Sequence, residues 1–430
     1  MPDTSTARCT TALDQALTSV PFYRRWRSID PGPSRTLSER LTALPVLSKR
    51  DLRTHVPHGF AHESYRIGEG FSSGEIELVA TSGTAADRVA IVWHQRWWDR
   101  SEREASRLHR VLGRVFAGEH REAVLTSPVC AGNLCHVGRV PMEERMVGNL
   151  LFLNQEFDPT AWDRSELQRM AEELGEFGAE VIEADPAYLA ILARWCAVEG
   201  VPLRQPQCIV LTYEFPSRVH TRQIARAFPG VPLVSSYGST ETGHVFTRCE
   251  EGLFHENTAT CHAEIQPLSG ARGDPTVGRI LVTTLDNPWF TLVRFDVGDL
   301  ARLHEGPPCA CGRAQGLTVA AIEGRVRDVT FDGGGRAVSV KRLDDALAGV
   351  ESLLAHRIEQ HDRHRYLFRY VAEPHDGGDV AESVPALLRG VYGADADVAV
   401  RREATLAPEQ SGKFRLAGTT FDWNPEELFA

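Results

Sequence analysis

From residue 76 to about 234 the chain alternates strand-like runs, such as Ile76-Glu-Leu-Val-Ala80 and Cys208-Ile-Val-Leu-Thr212, with helical stretches at 164–183 and 186–198. Such alternation favours a layered α/β sheet. Residues 1 to about 60 read as short helices with proline breaks, including 12–17 and the charged turn 47–53, a cap on a larger core. From 262 to about 331 the helical period fades and short strands are expected at 278–284 and 290–294, giving a β-rich lobe. After Gly324 the pattern restarts as strand (366–372), helix (381–391), strand (397–401), enough for a small α+β domain. The expected fold class is therefore α/β: a large multi-lobed N-terminal domain with layered α/β sheets and a β-rich lobe, then a small α+β C-terminal domain.

At 430 residues the chain has room for two or three lobes. Its net charge of −11, without a long basic run, argues against nucleic acid or an anionic membrane as the main partner, and for a small metabolite. No run of about 18 apolar residues occurs, and the first twenty residues hold no apolar stretch of signal-peptide length, so the expectation is a cytoplasmic protein. Nine cysteines scattered through a long chain do not read as a disulfide framework, which leaves metal binding for some of them.

Four loops carry residue types suited to a nucleotide. The heptapeptide Ser235-Ser236-Tyr237-Gly238-Ser239-Thr240-Glu241 offers an aromatic face for adenine, a glycine for close backbone approach, a hydroxyl for a phosphate and a carboxylate for Mg²⁺. Thr81-Ser82-Gly83-Thr84 can cup a triphosphate, although no Gly-Lys-Ser/Thr follows as in a Walker A loop, and an ordinary Ser/Thr/Gly turn is the plain alternative. Arg294-Phe-Asp-Val-Gly-Asp-Leu300 reads as an apolar strand ending in a glycine turn, with Asp299 placed either for ribose hydroxyls or as a turn aspartate. Ser411-Gly-Lys-Phe-Arg415 sets Lys413 in a polar loop, where a mobile ammonium can meet a phosphate or carboxylate. Between these, Gly324-Arg-Val-Arg-Asp328 reads as a hinge or a solvated linker.

Cys249 with His255 and Cys309 with Cys311 supply four soft ligands in two tight pairs, as a closed, structural zinc site requires, with Cys261 and His262 as competitors. Cys130 and Cys135-His136 form a conceivable nucleophile pair. With no orienting acid evident nearby, pocket lining or core packing is the better reading.

Taken in order, Thr81–Thr84, Tyr237–Glu241, Arg294–Asp299, Gly324-Arg325 and Gly412-Lys413 resemble the core motifs of the adenylate-forming (acyl-CoA synthetase) superfamily. Val20-Pro-Phe-Tyr23, Leu44-Pro-Val-Leu-Ser-Lys-Arg-Asp-Leu52, Gly252-Leu-Phe-His255 and Cys309-Ala-Cys-Gly-Arg313 resemble its phenylacetate-CoA ligase-like branch, to which the paired Cys/His zinc positions also belong. The resemblance implies an N-terminal domain over 1–326 and a small mobile C-terminal domain over 327–430 that carries the catalytic lysine. It implies that a carboxylate attacks the α-phosphate of ATP to give acyl-AMP and pyrophosphate, and that coenzyme A, a carrier-protein thiol or an amine then takes the acyl group. Under it Thr81, Ser82, Gly83 and Thr84 hold the leaving pyrophosphate, and Ser236, Tyr237, Gly238 and Arg325 serve the nucleotide. Asp299 grips ribose, Thr240 and Glu241 serve phosphate and Mg²⁺, Lys413 neutralises charge at the α-phosphate, and rotation at Arg327 removes Lys413 for the second step.

The chain departs from the superfamily pattern in three places. Ala85-Ala-Asp-Arg88 replaces a hydroxyl, glycine and lysine, with Arg88 as a substitute charge; Arg327 stands where aspartate is usual; and Leu211-Thr-Tyr-Glu214 replaces Gly-Ala-Glu. The expected substrate is a carboxylic acid, aromatic by preference, with Tyr213 and His136 lining its pocket. A non-carboxylate nucleophile such as nitrite or a hydroxyl, and a non-catalytic nucleotide-binding relative, are the competing readings. No nucleic-acid or membrane partner is expected, and a homodimer is compatible with the chain.

Overall fold

The structure is a computed structural model that describes residues 4–81, 89–132, 136–373 and 377–430. Among these, a sheet of twelve strands forms the body of the molecule. Its central strands, Glu122–Leu125 and Cys208–Leu211, are buried at every position, the pattern of strands covered on both faces. Strands Leu150–Phe152, Glu122–Leu125, Val181–Ala184, Cys208–Leu211 and Leu233–Ser239 run parallel in that order. At Leu233–Ser239 the sheet changes character, because the next strand, Gly243–Arg248, is antiparallel to it. Phe254–Glu256, Thr318–Arg325, Phe295–Leu303, Val277–Thr284 and Cys261–Pro267 continue antiparallel to the far edge. The β-rich part thus extends the parallel sheet edge to edge.

Local sequence explains where the elements stop. The helix expected over 164–183 ends at Phe177, where Gly178 takes φ 67° as a left-handed cap, and Val181–Ala184 becomes a strand. The neighbouring helix, Pro186–Glu199, starts where the Asp185 carboxylate accepts the Ala187 and Tyr188 amides. The strand expected at 290–294 is instead an irregular approach to Phe295–Leu303, with Arg294 at φ 52°. Asp299 therefore lies within a strand, after Gly298 at φ 95°, rather than in a turn beyond one. Residues 235–239 likewise complete a strand instead of forming a loop, which begins at Thr240.

The N-terminal helices Thr4–Ser19, Leu37–Ala43 and Lys49–His55 cap the antiparallel half, with Leu13, Tyr23, Leu47 and Phe60 buried among Phe246, Ile280 and Phe295. Helices Arg164–Phe177 and Pro186–Glu199 cover the parallel half through Met170, Leu174, Leu189 and Leu192. Beyond Arg325 a four-stranded sheet, ordered Asp397–Arg402, Arg365–Ala372, Leu353–Gln360, Ala417–Thr419, packs on helices Val340–Leu347 and Gly377–Tyr392 around its own core of Leu343, Phe368, Val384 and Tyr392. Helix Arg218–Ala227 bridges the two bodies. Its Arg222 donates to the carbonyls of Ala348, Val350, Glu351 and Leu353, and Gln223 donates to that of Leu354. Among the described residues no helix is long and apolar enough to cross a membrane.

Candidate active site and metal centre

Parallel strands aim the ends of their backbones at one edge, and ligands of open α/β sheets collect there, outside the carboxyl ends. Here that edge gathers Ser127 after Glu122–Leu125, Asp185 after Val181–Ala184, Tyr213 and Glu214 after Cys208–Leu211, and Tyr237 near the end of Leu233–Ser239. The Lys413 loop of the C-terminal body closes over the same edge. The Gly412 carbonyl accepts from the Tyr188 hydroxyl at 3.0 Å, the Ser411 carbonyl lies 3.6 Å from Cys130 Sγ, and the Phe414 amide donates to Glu214.

On the other flank Tyr237, half-buried, donates its hydroxyl to Asp299 Oδ2 at 2.9 Å. Burial, followed by the Asp299 carboxylate, raises the Tyr237 phenol well above its ordinary range, so it remains a donor. Arg325, at the end of Thr318–Arg325, joins the two flanks. Burial works against its charge, but the Asp328, Asp299, Glu214 and Glu409 carboxylates outweigh that and raise its pKa. Asp185 is 1% exposed, and burial pushes its carboxyl up to about 7 against the pull of its two capped amides, Lys413 and Arg325. Glu214 is pushed well up by burial and then by Asp185. The edge thus holds two cations, Lys413 and Arg325, facing acids that burial keeps reluctant to ionise, an arrangement ready to receive an anionic substrate.

Gly238 and Gly412 are needed for contact within the protein. A Cβ on Gly238 would collide with the Gly243 carbonyl, and one on Gly412, at φ 83°, would overlap Ser127 and lie 2.8 Å from Tyr188 Oη. Ser236 Oγ lies 3.3 Å from His244 Nδ1. Thr81, 8% exposed, accepts the Val89 amide on its hydroxyl at 3.0 Å and so closes the base of the phosphate-loop candidate. Ser82, Gly83, Thr84 and Arg88, together with Cys135, lie outside the described residues. Thr240 and the buried Glu241 border a small cavity with His94, Trp97 and Asn287, and Lys49 Nζ stands 3.9 Å from Glu241 Oε1.

Tyr213 sits at φ 68°, an unusual conformation for a bulky residue, and its hydroxyl donates to Glu183. Burial raises the Glu183 carboxyl to about 8, with the Glu122 and Glu102 charges adding to it. His136 is 9% exposed and its ring lies 5.6 Å from that of Phe152. Arg327 lies in the short turn Val326–Asp328 and reaches Glu409 at 2.9 Å, while Arg415 reaches Asp328 at 2.8 Å, so charge pairs link the hinge candidate to the lysine loop.

The four proposed soft ligands do converge. The ligand atoms of Cys249, His255, Cys309 and Cys311 all lie within 4.8 Å of one another, with the Cys249 and Cys309 sulfurs 3.6 Å apart and Cys311 Sγ 3.2 Å from His255 Nε2. Tetrahedral Zn–S and Zn–N bonds set ligand separations of about 3.6–3.8 Å, so this donor set fits zinc. Thr318 Oγ1 approaches the other ring nitrogen of His255 at 3.4 Å, and the Arg313 amide points at Cys311 Sγ at 3.5 Å, as outer partners of a metal site do. Cys261 and His262 lie outside the cluster: Cys261 donates to the Asn257 carbonyl, and His262 approaches Glu256.

Lys49, Asp185 and Tyr188 were not legible as site residues. They join it from elements distant in sequence, and the available signals were the Asp-Pro helix start and the position of acids after apolar strands.

Neither protein-family models nor curated proteins match the sequence. Solved structures do. A 2-hydroxyisobutyryl-CoA ligase in the postadenylation state, in complex with R3-HIB-AMP, is similar over 99% of this chain and 90% of its own, at TM-score 0.71 and 18% identity. The same ligase in the thioesterification state, with 2-HIB-AMP and CoA, gives TM-score 0.56 over 96% of this chain and 88% of its own at 18% identity. An ATP-bound RpMatB-BxBclM chimera, B1, is similar over 79% of this chain and 66% of its own, at TM-score 0.51 and 14% identity. The chain has the mixed α/β fold of adenylate-forming CoA ligases, the large sheet and the smaller C-terminal body included.

Proposed function

We propose that the protein is an AMP-forming ligase that adenylates a carboxylic acid with ATP and passes the acyl group to coenzyme A. The observation that supports this reading is the seating of the loop that carries Lys413 on Tyr188 and Glu214, past the carboxyl ends of the parallel strands, together with the Tyr237–Asp299 pair. In the first step an oxygen of the acid bonds to the α-phosphorus as the bond to the β-phosphate oxygen breaks, and pyrophosphate leaves. Lys413 offsets the charge that gathers on the α-phosphate, Asp299 accepts the ribose hydroxyls with Tyr237 fixing its orientation, and Arg325 adds positive potential. Thr240 and the residues 81–84 meet the departing phosphates, with Arg88 in place of the usual lysine. In the second step the thiol sulfur bonds to the acyl carbon, AMP leaves with the electron pair, and the thiol proton passes to solvent.

The buried Glu241 is an oxygen ligand that would hold Mg²⁺, which would supply positive charge against the phosphates. The Cys249, His255, Cys309 and Cys311 cluster would hold a structural Zn²⁺ with no position left open for chemistry. We place the domain boundary at 326/327, with Arg327 as the hinge, because the chain passes there from the large sheet into the C-terminal body. An aromatic acid is the preferred substrate class, on the ring pair of His136 and Phe152 and the Tyr213 phenol near the strand ends.

The test is acid-dependent ATP–pyrophosphate exchange across aryl, aliphatic and amino acids, with Lys413→Ala as control. Exchange with one class that drops by about 100-fold or more in the control is expected. Exchange that survives Lys413→Ala, or ATP binding without exchange for any acid, would overturn the reading.

A further inference from the structure

Lys413 brings one ammonium to the site, but the groups that hold its backbone lie far earlier in the chain. The Phe414 amide donates to the carboxylate of Glu214, 200 positions away, and the Gly412 carbonyl accepts from the hydroxyl of Tyr188, 224 positions away. These two bonds bracket Lys413 by one residue on either side. They fix the direction in which its side chain leaves the loop.

Both partners stand on rigid supports. Glu214 follows the fully buried strand Cys208–Leu211, and Tyr188 occupies the first turn of Pro186–Glu199, whose start is capped by the buried Asp185. The Phe414 ring adds an edge-on contact with Tyr188 at 6.1 Å between centroids. Burial, and after it Asp185, raise the Glu214 carboxyl well above its ordinary range, and the Phe414 amide pulls the other way by donating to it.

Resting on the ligase reading above, we propose that Glu214 and Tyr188 are positioning residues, a receptor on the large domain for the Lys413 loop, whose contribution is confined to the half-reaction that uses Lys413. When the C-terminal body rotates for thiol transfer both bonds break. Substitutions there weaken adenylation and leave thioesterification of a preformed adenylate unchanged.

The experiment uses the full chain with Glu214→Leu, which removes the acceptor at similar volume, Glu214→Gln, which keeps one, and Tyr188→Phe. Hydrogen exchange at the Phe414 amide is read first, with no acid present. Protection is expected to fall by about tenfold to 100-fold in Glu214→Leu and several-fold in Tyr188→Phe, and to persist in Glu214→Gln. Rates with benzoate and ATP, and separately with benzoyl-AMP and coenzyme A, are read second. The first is expected to fall with loss of protection while the second holds. Unchanged protection in both Glu214→Leu and Tyr188→Phe, or an equal loss in both half-reactions, would overturn the proposal. Should Glu214→Leu not fold, Tyr188→Phe decides. Loss of protection in variants of a chain whose wild type turns over no aryl, aliphatic or amino acid would sink the ligase reading and leave the loop receptor standing as a structural contact; where the wild type is silent with benzoate alone, the two rates are read with the acid that supports exchange.

Discussion

Replacing Gly412 by alanine should unseat the Lys413 loop from the large domain. In the docked structure residue 412 has φ 83°, and a methyl group there would overlap Ser127 and stand 2.8 Å from Tyr188 Oη. Forcing a methyl into such a contact costs about 1–3 kcal/mol. At about 1.4 kcal/mol per tenfold, the contact alone lowers the docking constant by about 5-fold to 150-fold. The left-handed backbone adds about 1–2 kcal/mol for a residue with a side chain, which counts against docking to the extent that the released loop relaxes to negative φ. Together the limits are about 5-fold and about 4,000-fold. Hydrogen exchange at the Phe414 amide, which donates to Glu214 only when the loop is seated, reads the docked population, and ATP–pyrophosphate exchange reads its catalytic effect. Global unfolding should barely change, since Gly412 lies outside the hydrophobic cores. Alanine with wild-type protection and wild-type exchange would refute the reasoning, and so would a variant whose whole fold is destabilised by the same amount.

Two further outcomes follow from groups away from the lysine loop. His220, on the bridging helix, and His356, on the facing strand Leu353–Gln360, are buried neutral, their pKa values lowered by desolvation to about 3 and about 4, with His356 and Arg194 also acting on His220. Because the folded values lie below the ordinary one, the stability they give is complete above about pH 6.5 and is lost as pH falls toward about 4. At about pH 5 each withdraws about 2 kcal/mol. His356→Gln should therefore reduce the difference in unfolding free energy between about pH 7.5 and about pH 5 by about 2 kcal/mol, measured by urea titration, and an unaltered difference would contradict the assignment. At the metal cluster, Cys309→Ser should abolish stoichiometric zinc by elemental analysis and lower the midpoint of thermal unfolding by several degrees. Full zinc content in that variant would remove Cys309 from the ligand set.

The sequence alone determined what is encoded locally or in tight spacing. The alternation of apolar runs with helical stretches marked the α/β sheet, since burial on both faces imposes continuous apolar strands. The convergence of Cys249, His255, Cys309 and Cys311 was readable because the members of each pair are close in sequence, and Lys413 drew notice because it stands beside glycine in a polar loop. Element ends were less legible. Gly178 ends one helix earlier than composition implied, and Asp299 falls within a strand because Gly298, at φ 95°, takes up a register shift between Asp296 and Leu300 and the strand continues beyond it. Only the tertiary structure decided what surrounds the lysine. Glu214, Tyr188 and Asp185 become its neighbours because parallel strands end at one edge of the sheet and the C-terminal body folds back over it. No local pattern specifies which residues meet across 200 positions, nor that burial there makes Asp185 and Glu214 reluctant to ionise. Those properties belong to the packing.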